Sequence, residues 1–178
     1  LPAYKGLYYD EHFPVGQRIR VINVCQNAGV CKNYCFQQKG NAIVWKNASE
    51  DRTRILNYLI NNYEGFKSKL LNEILDSEAM NIKKDLKTII RWNDSGDFIS
   101  EKYLGIAIDI ANNTSNVFHY AYTKMVGYVK KYASEHGVEL PSNFIFRFSV
   151  DAEAPENDLI NRKEDYHADV IPRETYKP

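Results

Sequence analysis

Three cysteines lie within eleven residues of one another and are the only cysteines in the 178-residue chain. They are Cys25, Cys31 and Cys35, with the spacing Cys-x5-Cys-x3-Cys. An odd number of cysteines in so short a stretch is a poor framework for disulfide bonds. Thiolates are preferred ligands of zinc, copper(I) and iron–sulfur clusters, so the three residues predict a metal centre.

The number of thiolates favours an iron–sulfur cluster over two interpretations that stay open, a zinc site and no metal. A structural zinc ion usually takes four ligands from two separate pairs, whereas this chain offers one group of three thiols. Three thiolates from one loop can hold a [4Fe-4S] cluster and leave one iron open to a cofactor or substrate. If a fourth protein ligand is needed, His167 is the candidate, while His12, His119 and His136 are expected at the surface or in the core.

The elements around the cysteines alternate between strand and helix. A β-branched run at 19–24 has strand character and leads directly into the cysteines. Apolar residues at helical spacing predict one or two helices over 50–76. Further strands are predicted at 87–92, 117–122, 144–150 and 168–171, and further helices at 101–113 and 124–136, with Ser100 and Gly137 as caps. The order predicts an α/β protein, either a partial (β/α) barrel or an open parallel sheet of about five strands.

We expect a single domain over 1–178. Within it, residues 1–19 are predicted to form an irregular lead-in, and 151–178 a loop-rich C-terminal part. The stretch 151–166 is acidic and interrupted by Pro155, and it is predicted to be a loop with a short helix. Trp92 and Phe98, which flank a polar turn, are expected in the core rather than stacked on a ligand.

Polar residues follow each predicted strand at its carboxyl end, where parallel α/β folds collect their functional groups. We expect these residues to face one pocket together with the cysteines. For Lys124 two roles stay open: it reaches a carboxylate or the surroundings of the cluster, or it lies at the rim of a pocket. The candidate cofactor-binding residues are Ser95, Gly96 and Asp97 after the second strand, Tyr122 and Lys124 after the third, and Ser149 and Asp151 after the fourth.

Two stretches of the chain resemble a phage-encoded family, the gene product 88-like proteins. They are Arg-Trp-Asn-Asp-Ser-Gly-Asp-Phe at 91–98 and Tyr-Ala-Tyr-Thr-Lys at 120–124. The resemblance covers roughly residues 20–150 and implies no defined biochemical activity.

The cysteine loop also resembles that of the radical SAM superfamily, which has three cysteines after the first strand and an aromatic residue, here Tyr34, before the last. That superfamily usually has the spacing Cys-x3-Cys-x2-Cys, and a Gly-Gly-Glu motif where this chain has Ser95-Gly96-Asp97. The resemblance implies that S-adenosyl-L-methionine (SAM) binds the open iron and is cleaved to a radical when the cluster is reduced. It further implies that Gly96 and Asp97 hold the methionine end of SAM, and Ser149 and Asp151 its ribose or carboxylate.

The amino-acid composition of the chain limits the classes of partner that we expect it to bind. Lys plus Arg and Asp plus Glu both number 23, so charge balance gives no strong signal for nucleic acid. No apolar run approaches the roughly 18–20 residues of a membrane span, and the N-terminus has no signal-peptide pattern. We therefore expect a cytoplasmic protein, in the host cytoplasm if phage-encoded, that acts on an unknown substrate or a host protein. Two alternatives stay open: a phage-derived, cluster-bearing binding or regulatory protein without SAM chemistry, and a zinc-stabilised structural domain.

Overall fold

A computed structural model describes residues 5–9, 19–35, 48–137, 139–151 and 153–169. Its first element is an antiparallel hairpin of β1 (Lys5–Tyr9) and β2 (Ile19–Asn23), in which Lys5 lies opposite Asn23. The expectation that 19–24 is the first strand of the parallel sheet is therefore wrong, and the lead-in contains a strand. A β-branched run favours an extended backbone but does not specify which strand it pairs with.

The central element is a parallel sheet in the order β3-β4-β5-β6. The strands lie where the sequence predicts them, and neighbours in the sheet are also neighbours along the chain. They are β3 (Ile89–Trp92), β4 (Phe118–Thr123), β5 (Phe144–Val150) and β6 (His167–Asp169). The α/β class is confirmed, with an open sheet of four parallel strands in the described residues.

Five helices accompany the strands in the described residues, and they are α1 (Cys31–Tyr34), α2 (Ala48–Asn61), α3 (Tyr63–Ile82), α4 (Glu101–Asn112) and α5 (Val126–His136). Both predicted caps are confirmed: the Ser100 side chain accepts a hydrogen bond from the Tyr103 amide, and Gly137 ends α5 in a left-handed conformation. A short 3-10 helix (Asn157–Leu159) precedes β6. No helix among the described residues is long and apolar enough to cross a membrane.

The core lies against one face of the parallel sheet, because the side chains of its strands alternate between buried and more exposed. Trp92 and Phe98 belong to this core, as predicted, and pack with apolar residues of α4 such as Leu104 and Ile110. The opposite face, which we call the open face, carries half-buried or exposed side chains. They are Ile89, Arg91, Phe118, Tyr120, Tyr122, Ile145, Arg147, Ser149 and Ala168.

Candidate functional site

The cysteine loop, residues 24–35, lies across the carboxyl ends of three parallel strands. The Val24 carbonyl accepts a hydrogen bond of 2.7 Å from the Asp97 amide, which follows β3. The Asn27 side chain donates to the carbonyl of Lys124, which follows β4, at 3.1 Å. Amides of the loop also donate to Asp151, which follows β5. The fold thus brings the cysteines together with three of the residues that the sequence predicts around them.

Asp151 anchors the loop through both of its carboxylate oxygens. Its Oδ1 accepts from the Val30 amide at 3.3 Å and from the Glu153 amide at 2.9 Å. Its Oδ2 accepts from the Cys31 amide at 3.2 Å and from Lys124 Nζ at 2.8 Å. Burial alone would raise the pKa of Asp151, but these hydrogen bonds outweigh it and lower the pKa. The carboxylate is therefore ionised and neutralises the buried Lys124 ammonium.

Asp97 joins the end of β3 to the end of β4. Its Oδ1 accepts from the Phe98 amide at 2.8 Å and from the Thr123 hydroxyl at 2.6 Å, and its Oδ2 accepts from the Lys124 amide at 2.8 Å. Burial raises the pKa of Asp97 to about 6, although these hydrogen bonds oppose the rise. The carboxylate is therefore mainly ionised at neutral pH, and its oxygens are already engaged by the protein.

All three cysteines are free and half-buried. Burial raises the pKa of Cys25 to about 12, and negative charge on Asp97, Cys35 and Cys31 adds to the rise. Burial also raises the pKa of Cys31, against the nearby charge of Lys124. Without a bound cation Cys25 and Cys31 are protonated at neutral pH, so a metal that binds them must displace protons.

The donor set determines which kind of group these residues fit. Three soft thiols from one loop are suited to a thiolate-ligated metal or cluster. Within the described ranges, no three Cys, His, Asp or Glu side chains are arranged to hold a single metal ion. The thiols suit a thiolate-ligated group by their chemistry alone, so the presence of a bound metal or cluster stays a prediction.

The raised pKa of Cys25 predicts a slow reaction with thiol reagents. In metal-free protein at pH 8, we expect iodoacetamide to alkylate Cys25 on the order of a thousandfold more slowly than in urea-unfolded chain, because only the thiolate reacts. Peptide mapping by mass spectrometry after timed quenching measures the rate. Alkylation of Cys25 at the unfolded rate in folded protein would contradict the burial.

The raised pKa of Cys25 also makes the free energy of unfolding depend on pH. The pKa of Cys25 is about 12 in the folded protein and near 9.0 when the residue is exposed, so folding favours the protonated thiol. The stabilising contribution is complete below about pH 9 and is lost as the pH rises toward 12.

Gly29 lets the loop approach Asp151 closely. Its φ is +52°, and a Cβ built on it would lie 2.3 Å from Asp151 Oδ1. Gly137 has a similar φ of +58° but no atom within 4 Å of such a Cβ, so it is a matched control. We expect Gly137→Ala to cost about 1–2 kcal/mol from backbone strain alone. Gly29→Ala should cost at least ~1 kcal/mol more, because it displaces hydrogen-bonded Asp151. Urea unfolding of both variants measures the difference, and equal losses would refute the close contact.

The remaining candidate cofactor-binding residues are Ser95, Gly96, Tyr122 and Ser149, and only some of them lie beside the cysteine loop. Gly96 has a φ of +84°, and a Cβ built on it would lie 3.3 Å from the Val24 carbonyl oxygen. Ser95 beside it is half-buried. Tyr122 and Ser149 belong to the open face rather than to the buried side that holds Asp97 and Lys124. Their roles in binding a cofactor stay predictions.

Each histidine among the described residues contacts protein groups close to it. Trp92 Nε1 donates to His119 Nδ1 at 3.1 Å, so the ring proton is on Nε2, 2.9 Å from the Thr114 hydroxyl. This confirms a satisfied core histidine, and burial lowers the pKa of His119 to about 4.

His136 is exposed, as expected, and stacks on Tyr132. His167 begins β6 with its Nδ1 3.1 Å from the Asp165 carbonyl oxygen, and its role as a fourth ligand stays a prediction. His12 lies outside the described residues.

The sequence interpretation missed three residues of the site: Asn27, Gly29 and Thr123. Thr123 had a usable signal, since it is a hydroxyl residue at the last position of a strand, next to Lys124. Asn27 and Gly29 stand in a loop whose composition suits any turn, so their contacts with Lys124 and Asp151 depend on the tertiary fold.

Comparison with protein families yields a match over most of the chain. A family model described as Gene product 88 matches residues 3–178, nearly the full chain. No curated protein and no solved structure matches. The resemblance of the two motif stretches to that phage-encoded family is thereby supported, while the radical SAM resemblance stays a prediction.

Proposed function

Since the chain belongs to the gene product 88 family, for which the sequence resemblance implies no defined activity, we propose its function from the site: Cys25, Cys31 and Cys35 hold a [4Fe-4S] cluster with one open iron. The observation that carries the proposal is the anchoring of three free, half-buried thiols over the carboxyl ends of a parallel sheet. Soft thiolates without a fourth cysteine suit a cluster that has an open coordination position.

The surrounding charges support the same proposal. The raised pKa values of Cys25 and Cys31 mean that three thiolates cannot accumulate here without added positive charge. A cluster supplies that charge when it binds, and Lys124 contributes a buried ammonium group near the thiols. We expect cluster assembly to become more favourable as pH rises, because the protons of the thiols must leave.

The finer proposal is a radical SAM-like fold and activity, in which SAM binds the open iron and is cleaved. A reduced cluster would supply one electron and an open coordination position, which are what SAM cleavage requires. The chain's own residues would contribute the turn at Ser95 and Gly96 and the polar side chain of Ser149. The open parallel sheet and the loop across its carboxyl ends support this reading, since ligands of such sheets bind at that edge.

Anaerobic purification and reconstitution test the proposal. Iron, sulfide and zinc are quantified, absorbance near 400 nm is recorded, and SAM is titrated before and after reduction with dithionite. Four irons and four sulfides per chain, with SAM consumed only after reduction, would support an enzyme. A chain that retains zinc and no iron would overturn the cluster and support a zinc-stabilised structural domain instead.

One observation favours a second candidate, a cluster-bearing binding or regulatory protein without SAM chemistry. The carboxylate oxygens of Asp97 and Asp151 already accept hydrogen bonds from backbone amides, the Thr123 hydroxyl and Lys124. Each Asp151 oxygen accepts two bonds, so Asp151 would have to give up one of them to contact SAM. A stable iron–sulfur cluster that shows no SAM binding in the titration would support this second function.

A further inference from the structure

The open face of the sheet is unusual for parallel strands. Parallel sheets are normally covered on both faces and are then rich in Val, Ile and Leu. Here one face carries two arginines, two tyrosines and a serine on three neighbouring strands, namely Arg91, Tyr120, Tyr122, Arg147 and Ser149. Tyr122 is 40% exposed. Ile89, Phe118 and Ile145 share this face, but two arginines beside two tyrosines are poorly suited to cover by an apolar helix, so this part of the face has the chemistry of a binding surface.

The positions of these residues follow from the strand register. Arg91 lies level with Tyr120 on the next strand, and Tyr122 lies level with Arg147 on the strand after that. Strands spaced about 4.8 Å apart and an offset of two residues put the two arginine Cα atoms roughly 12 Å apart. The two tyrosines stand on the strand between them, and the Arg91 guanidinium extends toward Tyr122, which lies level with Arg147.

The two rings already contact each other, and one of the two cations contacts a ring. The Tyr120 and Tyr122 rings meet edge to face with centroids 6.3 Å apart, and the Arg91 guanidinium lies 5.6 Å from the Tyr122 ring centroid. Among the described residues neither Arg91 nor Arg147 forms an ion pair, and no acidic side chain lies on the open face. Two cations without a counter-charge on an aromatic surface call for an anionic ligand with a flat ring.

We infer that the open face binds a free nucleotide, with its base against Tyr120 and Tyr122 and its phosphate bound by Arg147 and Arg91. A phosphate offers three oxygens and can accept from two guanidinium groups, whereas a carboxylate offers two oxygens. Tyrosine rings stack on any base, so the face specifies the class of ligand and not the base. A polynucleotide is disfavoured because the chain has no net charge and the face has only two cations among the described residues.

The inference is independent of the proposed cluster, and the test uses guanosine 5′-monophosphate (GMP) with the full chain, both iron-free and reconstituted. Calorimetric titration should give a dissociation constant below 1 mM for GMP in both forms, about the level of a weak metabolite site. Guanosine and inorganic phosphate should each bind at least about tenfold more weakly, since each lacks half of the contacts. SAM carries a base but no phosphate, so it should compete with GMP no more strongly than guanosine does.

Single substitutions on the open face test which residues bind GMP. Arg147→Gln and Arg91→Gln should each weaken GMP binding about tenfold or more, and Tyr122→Leu about fivefold. Lys69→Gln removes an equal charge from an exposed position of α3 and should leave the affinity unchanged. A thermal unfolding midpoint equal to that of the parent protein verifies that each variant folds.

Several outcomes would overturn the inference. They are no heat of binding at millimolar GMP, guanosine binding as tightly as GMP, unchanged affinity in both arginine variants, and an oligothymidylate binding more tightly than GMP. The comparison of GMP with guanosine uses the unaltered protein, so the test does not depend on any variant folding.

Discussion

Replacing Cys25, Cys31 or Cys35 by serine is expected to abolish the proposed iron–sulfur cluster in each case. The chain has no other cysteine, so no thiol can replace the lost ligand. We expect reconstituted variants to lose the absorbance near 400 nm and to hold less than about a tenth of the parent iron, because a serine hydroxyl is a hard, protonated ligand at neutral pH. Iron and sulfide analysis after desalting measures the loss.

Asn33→Ser is the matched control, because it introduces the same side chain at an exposed position of α1 between two of the cysteines. It should retain the parent iron and sulfide content. Full iron in any one of the three cysteine variants would exclude that residue as a ligand. Full iron in all three would refute the proposed site.

Asp151→Asn is expected to have the largest effect on stability. The variant leaves the Lys124 ammonium buried without its carboxylate and weakens the hydrogen bonds to the Val30 and Cys31 amides. Removing one partner of a buried ion pair typically costs about 3–5 kcal/mol, which is a large fraction of the ~5–15 kcal/mol that stabilises a typical domain. Urea unfolding of the metal-free protein measures the loss, and the iron content of the reconstituted variant should fall with it.

Asp51→Asn is the control, since Asp51 pairs with Arg54 on the surface of α2, where both side chains are more than half exposed. It should change the free energy of unfolding by less than ~0.5 kcal/mol. The double variant Lys124→Met/Asp151→Asn removes both charges and should recover part of the loss. A stability within ~1 kcal/mol of the parent for Asp151→Asn alone would show that the pair does not anchor the loop.

The sequence was sufficient to predict which strand ends carry the polar residues. Asp97, Lys124 and Asp151 each follow a strand with a clear apolar pattern, and parallel strands place their carboxyl ends at one edge. Their detailed roles were not predictable, because a carboxylate after a strand can accept from backbone amides or from a ligand with equal chemical ease. Here tertiary contacts decide, and the side chains of Asp97 and Asp151 bind backbone amides.

The pairing of β2 shows a similar limit. The residues at 19–23 have the β-branched character of a strand, and this part of the prediction is confirmed. The partner strand at 5–9 contains Gly6 and lies in a Tyr- and Gly-rich segment, so its extended backbone depends on the pairing itself. Propensity therefore identified one strand of the hairpin and assigned it to the wrong sheet.

The anchoring of the cysteine loop by Asp151 has a consequence for protein synthesis. Cys31 and Asp151 are separated by 120 residues. At translation rates of about 5–20 residues per second, roughly 6–24 s pass between the synthesis of the thiols and that of their anchor. During this interval the nascent chain carries three thiols with no carboxylate to fix the loop. A cluster inserted into the folded site is therefore inserted after β5 has left the ribosome, and a nascent chain that ends before residue 151 cannot form the site.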